Sequence, residues 1–280
     1  MSNTIKTTLL LGGLTGLIIM IGGYLGGPYG MILALFFAAL MNFGSYWLSD
    51  KIVLKMYRAR VLSPGEISEL FELVEELSAR ADLPMPKICL IESDAPNAFA
   101  TGRNPENAVV AVTTGLLKIL DREEIKGVLA HELAHIKNRD ILISSIAAML
   151  AGTIMSIATM LRWAAIFGGV GRDDDDGGLI GLLAMTILAP FVAVIIQLAI
   201  SRTREYKADD AGAGFAGSPE GLATALEKLG HASKRVPMRS NPATAHMFIV
   251  NPLAGRAMMS LFSTHPPLEK RVERLRAYGR

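Results

Sequence analysis

Apolar residues along this chain are gathered into long uninterrupted blocks, separated by two stretches of mixed polar sequence. Thr7 to Ser49 carries no charged side chain. One helix crosses the hydrocarbon core in about 20 residues, so the block predicts two spans, 7–25 and 31–49. Gly26-Gly27-Pro28-Tyr29-Gly30 is the tight turn between them. A cleaved signal peptide would show one short apolar region and then polar sequence; here a second apolar run follows at once. Ile141 to Leu161 and Gly177 to Ser201 are also uncharged. They predict spans at 141–161 and 178–201, the latter kinked at Pro190, which removes a helix hydrogen bond. Buried core helices of a large soluble protein are the other reading, and the length and lack of charge of these runs argue against it.

The flanking Lys and Arg residues predict an orientation. Lys6 precedes the first span; Lys51, Lys55, Arg58 and Arg60 follow the second; Lys137 and Arg139 precede the third; Arg202, Arg204 and Lys207 follow the fourth. The turn between spans one and two is uncharged, and the loop between three and four carries Arg162 and Arg172 against Asp173-Asp174-Asp175-Asp176. Both termini and both polar segments are therefore expected in the cytoplasm. The Asp run lacks the spacing of a calcium-binding loop and reads as solvated. No ionisable residue interrupts a span, which argues against a transport role. The expected organisation is a transmembrane hairpin over 1–50, a polar segment over 51–140, a second hairpin over 141–201 and a second polar segment over 202–280.

Within 51–140, Ser63-Pro64-Gly65-Glu66 reads as a helix start, followed by Ile67, Leu70, Phe71, Val74 and Leu77 on one face. Asp82 to Pro86 ends that helix. Lys87 to Ile91 and Ala108 to Thr113 read as strands, with Asn97 to Gly102 between them as an edge strand or loop. Asp121 to Asp140 reads as a helix. Within 202–280, Ser218-Pro219-Glu220 opens a helix bearing Leu222, Leu226 and Leu229, and Leu268 to Tyr278 is a closing amphipathic helix. Pro237 to Met259 lacks periodicity and reads as a long loop, the stretch to suspect as a lid.

Composition agrees with this pattern. Of 280 residues, 51% are hydrophobic and 19% charged, and mean hydropathy is +0.36. This excludes a disordered chain. A net charge of +2 gives no bulk preference for nucleic acid, and no nucleic-acid partner is expected. The one cysteine, Cys89, excludes a disulfide within the chain.

The chemistry centres on His131-Glu132-Leu133-Ala134-His135. On a helix, positions four apart share a face. Two imidazoles there can hold a zinc ion, and the Glu beside the first can act as base on a water. A catalytic zinc needs a third protein ligand. Glu205 and Asp209 stand four apart just after the fourth span. If the HELAH helix continues, Leu133 lies roughly 12 Å from the start of span three, and Glu205 roughly 6 Å beyond span four, at the same face. Alone, Glu205 would read as a surface partner of Arg202 or Lys207; beside the HELAH helix it reads as the third ligand. Asp209, one turn on, is placed to accept the second ring N–H of a ligand histidine, with His131 as the choice. His231 and His246 read as non-catalytic.

HELAH, Ser201-Arg202-Thr203-Arg204-Glu205-Tyr206-Lys207-Ala208-Asp209, Asn97-Ala98-Phe99-Ala100-Thr101-Gly102 and Thr264-His265-Pro266-Pro267 together resemble the HtpX family over essentially the whole chain. These are membrane-bound zinc metalloproteases of bacteria, gluzincins related to the type 1 CAAX prenyl proteases. The resemblance implies an α-helical integral membrane protein with four transmembrane helices. Its cytoplasmic zincin-like metalloprotease domain, mainly α and of α+β type, would be built from the two polar segments. It implies a zinc endopeptidase of the bacterial inner membrane with its termini and active site cytoplasmic. That enzyme would cut misfolded or damaged membrane proteins in quality control under stress. One Zn2+ per chain is expected on His131, His135 and Glu205, with Glu132 as base. His265, supported by the family's recurring His-Pro pair, would be the oxyanion donor, or else a residue opening the last helix. Asn97, Ala98, Phe99 and Ala100 resemble the family segment along the cleft, where a substrate adds as a strand; an ordinary edge loop is the alternative. The expected partners are membrane-protein substrates and the lipid bilayer. A catalytically silent membrane scaffold and a narrowly specific CAAX-type processing protease are the competing functions. The sequence leaves the oligomeric state open.

Overall fold

The computed structural model describes residues 3–167, 202–236, 244–250 and 266–278. Among them the helices are α1 (Asn3–Met56), α2 (Ser68–Arg80), α3 (Thr114–Ile119), α4 (Arg122–Lys137), α5 (Asp140–Phe167), α6 (Arg202–Ala216), α7 (Glu220–Arg235) and α8 (Leu268–Ala277). The strands are β1 (Arg60–Val61), β2 (Lys87–Ile91), β3 (Ala98–Thr101) and β4 (Val109–Thr113), with 3-10 turns at Pro105–Asn107 and Ala245–Met247.

α1 is two helical limbs divided by Gly26 and Gly27, whose dihedrals leave the helical region. Gly27 has φ +56°, a conformation glycine adopts without a Cβ clash. The limbs fold back on each other, so that Asn42 Nδ2 donates to Thr15 Oγ1 at 2.9 Å. The second limb, Gly26–Met56, is the one described helix long and apolar enough to cross a membrane. Ile5–Met20 and Asp140–Gly152 are shorter apolar helices. The expected fourth span 178–201, with Pro190, and the Asp173–Asp176 run lie outside the described residues.

The four strands form one sheet in the order β1-β2-β4-β3; β2 and β4 are parallel, while β1 and β3 flank them antiparallel. Alternate side chains leave opposite faces. Ile88, Leu90, Ala98, Ala100, Val110 and Val112 pack under α2, α4 and α7 in the main core. Cys89, Ile91, Phe99, Val109 and Ala111 turn the other way, onto Val53 and Leu54 at the end of α1 and onto Ala148 of α5. The sheet is thus clamped between the polar helices and the ends of the apolar ones. Each fully buried large apolar side chain stabilises this arrangement by roughly 1.5–3 kcal/mol.

Two expected boundaries are corrected. α2 begins at Ser68, not at Ser63, and has no side-chain cap. Glu66 is held in a turn instead, accepting from Ser63 N at 2.8 Å and pairing with Arg60. The HELAH helix also does not run on into the apolar helix. Asn138 caps α4, Arg139 takes φ +56°, and α5 starts afresh at Asp140. Such a conformation costs a non-glycine residue about 1–2 kcal/mol, and it turns the Asp140 side chain back towards α4.

α4 is fixed at its start by a full capping box: Asp121 Oδ1 accepts from Glu124 N and Glu124 Oε2 from Asp121 N. α6 crosses α4 at Gly212, where an added Cβ would lie 2.9 Å from His131 N and 3.0 Å from His131 Cα. The absence of a side chain there lets α4 and α6 meet backbone to backbone.

Candidate metal centre

α4 points His131, Glu132 and His135 into a small cavity, and the first turn of α6 adds Glu205. His131 Nε2 lies 3.2 Å from His135 Nε2 and 3.8 Å from Glu205 Oε2, and His135 Nε2 lies 3.5 Å from Glu205 Oε1. Zinc bonds of about 2.0–2.1 Å in tetrahedral geometry set ligand atoms about 3.3 Å apart. The spacings lie near that value, so the three side chains are placed to hold a zinc ion.

Each imidazole is oriented by a carboxylate behind it. His131 Nδ1 lies 3.0 Å from Asp209 Oδ1, and His135 Nδ1 lies 3.1 Å from Asp140 Oδ2. A donated Nδ1–H leaves each Nε2 lone pair for a metal. Behind the carboxylates stand guanidinium groups. Arg271, wholly buried, donates from Nε and Nη2 to Asp209 at 2.9 and 2.6 Å. Arg204 donates from Nε to Asp140 Oδ1 at 2.8 Å. The four carboxyl groups of Glu132, Glu205, Asp140 and Asp209 thus outnumber the two guanidinium groups, an excess of acidic groups that suits a divalent cation.

The protonation states follow from burial and neighbours. Burial, with Arg271 nearby, lowers His131 to about 4, so the ring is neutral as a ligand must be. Burial raises Glu132 to about 7, opposed by His135 and by the Ala100 N–H that donates to its carboxylate. Burial works against charge on His135, but the Asp140 hydrogen bond and the Glu205 and Glu132 carboxylates outweigh it and raise the ring to about 9. A cation binding at Nε2 takes the place of that proton. Burial opposes the charge of Asp209, yet Arg271 and His131 hold its carboxyl below the usual range.

The structure brings together His131, Glu132, His135, Glu205 and Asp209, with Ala100 in the same cavity wall. Ala98 and Phe99 share β3 with Ala100, at the sheet edge, and Asn97 immediately precedes that strand. His265 lies outside the described residues. His246, read from sequence as a non-catalytic residue of the long loop, lines the cavity, its Nε2 lying 3.1 Å from Ser144 O.

A model of peptidase family M48 matches residues 65–278. The chain belongs to peptidase family M48. Its relatives include the protease HtpX homolog of Desulforapulum autotrophicum, 62% identical over 278 residues, which cover 99% of this chain and 90% of that protein. The protease HtpX homolog of Thermococcus sibiricus is 54% identical over 276 residues, 97% of this chain and 94% of that one. The HtpX resemblance read from the motifs therefore holds for this M48 protein, which is a metallopeptidase, a hydrolase. The crystal structure of S. mikatae Ste24p shares its fold, with a TM-score of 0.51 at 20% identity; the match covers 98% of this chain and 64% of that one. This M48 chain thus spans less than two thirds of that structure's length.

Sequence reasoning passed over Asp140, Arg204 and Arg271. Asp140 reaches His135 only because of the break at Arg139, which no residue type announces. Arg271 had a signal: it sits in the 3–4 spaced stripe Leu268, Val272, Leu275 of α8, where a charge among apolar residues points to a buried partner.

Proposed function

We propose that this M48 peptidase holds one zinc ion on His131, His135 and Glu205 and hydrolyses peptide bonds of misfolded or damaged membrane proteins at the cytoplasmic face of the inner membrane. The observation that carries the catalytic part is the convergence of the two Nε2 atoms, 3.2 Å apart, on the Glu205 carboxylate, whose two oxygens lie 3.8 and 3.5 Å from them, with a carboxylate behind each imidazole. When bound, zinc acidifies water and polarises a carbonyl.

The chain's own residues divide the remaining work. Glu132, raised by burial to about 7, is poised both to accept a proton from the attacking water and to hand it to the leaving amine. The Ala100 N–H fixes its carboxylate. Asp209 and Asp140 hold the two imidazoles in the tautomer that presents Nε2. His265 is proposed as the oxyanion donor on the family resemblance alone.

Membrane attachment is supported by the second limb of α1, whose Leu33 and Phe36 are 70% and 71% exposed, far more apolar surface than a soluble helix presents. Trp47 near its end, with Arg103 stacked 4.6 Å over the ring, has the character of an interfacial anchor. The four-span topology and cytoplasmic orientation rest on the uncharged runs and their basic flanks. In that arrangement the chain would leave the cytoplasmic face after Asp140 and return before Arg204, and those two side chains are ion-paired at 2.7 Å.

The test uses the full chain in detergent, stripped with a chelator and reloaded with zinc. Wild type is expected to bind about one zinc and cut an unfolded protein. Glu132→Gln is expected to bind zinc and lose at least about 1,000-fold in rate. Zinc binding without cleavage by wild type would point to a silent scaffold or a narrowly specific protease. Absence of zinc binding by either protein would overturn the ligand set.

A further inference from the structure

The cavity at the candidate centre has a volume of about 30 Å³ and is covered by His246, Met247, Phe248 and Ile249. That space suits a water-sized group, so no peptide reaches Glu132 until a wall moves. Four walls are fixed: α4 carries both histidines, α6 carries Glu205, α5 begins at Asp140 behind His135, and Ala100 belongs to β3, which is paired to β4 in the sheet. Among the described residues, the wall that remains is the segment 244–250.

This segment is docked as a strand would be. Ile249 N donates to Ala98 O at 3.1 Å. The Asn97 side chain grips the next residue twice, Nδ2 donating to Val250 O at 2.9 Å and Oδ1 accepting from Val250 N at 3.4 Å. Ile249 opposite Ala98 and Val250 beside Asn97 make the segment antiparallel to β3. Arg271 Nη1 donates to Ile249 O at 3.2 Å. The Phe248 ring stands edge-on to Phe99 and Tyr57, with centroids 5.2 and 5.1 Å apart. Tyr57 also hydrogen-bonds Thr244.

We propose that residues 244–250 are a built-in stand-in for substrate, occupying the β3 edge until an extended apolar segment of another polypeptide displaces them. The inference rests on the peptidase reading above and deepens it by naming the substrate class. Each group the segment satisfies sets a requirement on its replacement, because buried polar groups left unpaired are costly. Ala98 O needs a backbone N–H. Asn97 needs an amide N–H and C=O from one residue, and Arg271 needs a carbonyl. These are met by any extended backbone, so they impose no sequence. The slot between Phe99 and Tyr57 needs an aromatic or bulky aliphatic side chain. Folded proteins keep such side chains buried and out of extended, unpaired backbone; unfolded ones expose both together. The selection for damaged proteins would then reside in the competition between the internal segment and an incoming one.

The experiment locks the segment in place. Ala98→Cys combined with Ile249→Cys allows a disulfide across the pair, while the chain's own Cys89 is buried. The zinc-loaded full chain in detergent is assayed on reduced, alkylated α-lactalbumin, oxidised and then after a phosphine reductant, with zinc content measured in both. The locked form is expected to be at least about tenfold slower than the same sample after reduction, at unchanged zinc content. Equal rates, with the disulfide verified by mass spectrometry, would overturn the inference and leave the peptidase reading intact. Should the disulfide not form, a peptide of the sequence of residues 244–250 decides. It is expected to raise KM of wild type without changing kcat, and the same peptide carrying Phe248→Asp is expected to have no effect. No inhibition by the unaltered peptide would overturn the inference. A wild-type enzyme that cuts nothing would overturn the proposed function and this inference with it.

Discussion

His131 and His135 sit one helical turn apart and face the same ion position, yet they are supported from different parts of the chain and in different surroundings. Behind His131 stand Asp209 and Arg271, and the three side chains are 1%, 0% and 0% exposed. Behind His135 stand Asp140 and Arg204, with exposures of 17%, 6% and 11% across that trio. The deep trio ties α4 to α6 and α8, inside the packed polar part of the molecule. The shallow trio ties α4 to the first residues of α5 and α6, where the apolar helix begins. A charge stripped of its partner in the first has no water to turn to, whereas in the second it has some. The same chemistry, an imidazole backed by a carboxylate and a guanidinium, should therefore respond very differently to damage.

The largest difference is expected from Arg271→Met. It leaves the Asp209 carboxylate buried beside a neutral imidazole, and breaking a buried pair from one side costs about 3–5 kcal/mol. Thermal unfolding in detergent with excess chelator reads this without help from metal binding. Adding Asp209→Asn should recover part of the loss, since the stranded charge is then gone. An unchanged melting temperature for Arg271→Met would mean that the deep trio is hydrated after all.

A smaller effect separates the two carboxylates themselves. Asp209→Asn and Asp140→Asn each loosen the hold on one ligand ring, and such partners are worth about 10–100-fold in metal affinity. The loss at Asp209 is expected near the top of that range and the loss at Asp140 near the bottom, because water can substitute at the shallower position. Zinc affinity by chelator competition measures both. Equal losses would erase the distinction between the two sides.

What the sequence made legible follows the same division. The candidate site residues lie on helices, and helical spacing is regular, so His131, Glu132 and His135 could be read directly, and Glu205 and Asp209 could be read one turn apart. The helix opening at Asp121 and the apolar runs of β2 and β4 were local in the same sense. The supports were not local. Asp140 reaches His135 only through a positive φ at Arg139, a residue with no special liking for it. Arg271 meets Asp209 across 62 positions of sequence. The start of α2 moved four residues, its cap from Ser63 to Ile67, because Glu66 is engaged by Ser63 N and Arg60, a choice between two local hydrogen-bonding schemes that spacing alone does not decide. The segment 244–250 has no periodicity of its own, since its shape comes from the β3 edge it lies against.

The smallest expected effect belongs to the outermost member of the shallow trio. Arg204 contacts Asp140 through Nε and Nη2 to Oδ1, at 2.8 and 2.7 Å, and through Nη2 to the Asp140 carbonyl at 3.3 Å. Lysine keeps the charge but not the fork, so Arg204→Lys loses the geometry while retaining the attraction. With the charge kept, what is lost is hydrogen-bond geometry, worth about 1 kcal/mol. Asp140 would keep its charge and its bond to His135, with water replacing the missing donor. Zinc retention should fall by about fivefold or less, and the melting temperature of the metal-free chain should barely move. Arg204 is adjacent to Glu205 in sequence, so a much larger loss of zinc at unchanged stability would carry a separate meaning. It would show that the pair sets the position of the third ligand as well as the orientation of His135. A large loss of stability would show instead that the junction between α4, α5 and α6 is as dry as the Arg271 side, and the contrast between the two sides would then fail.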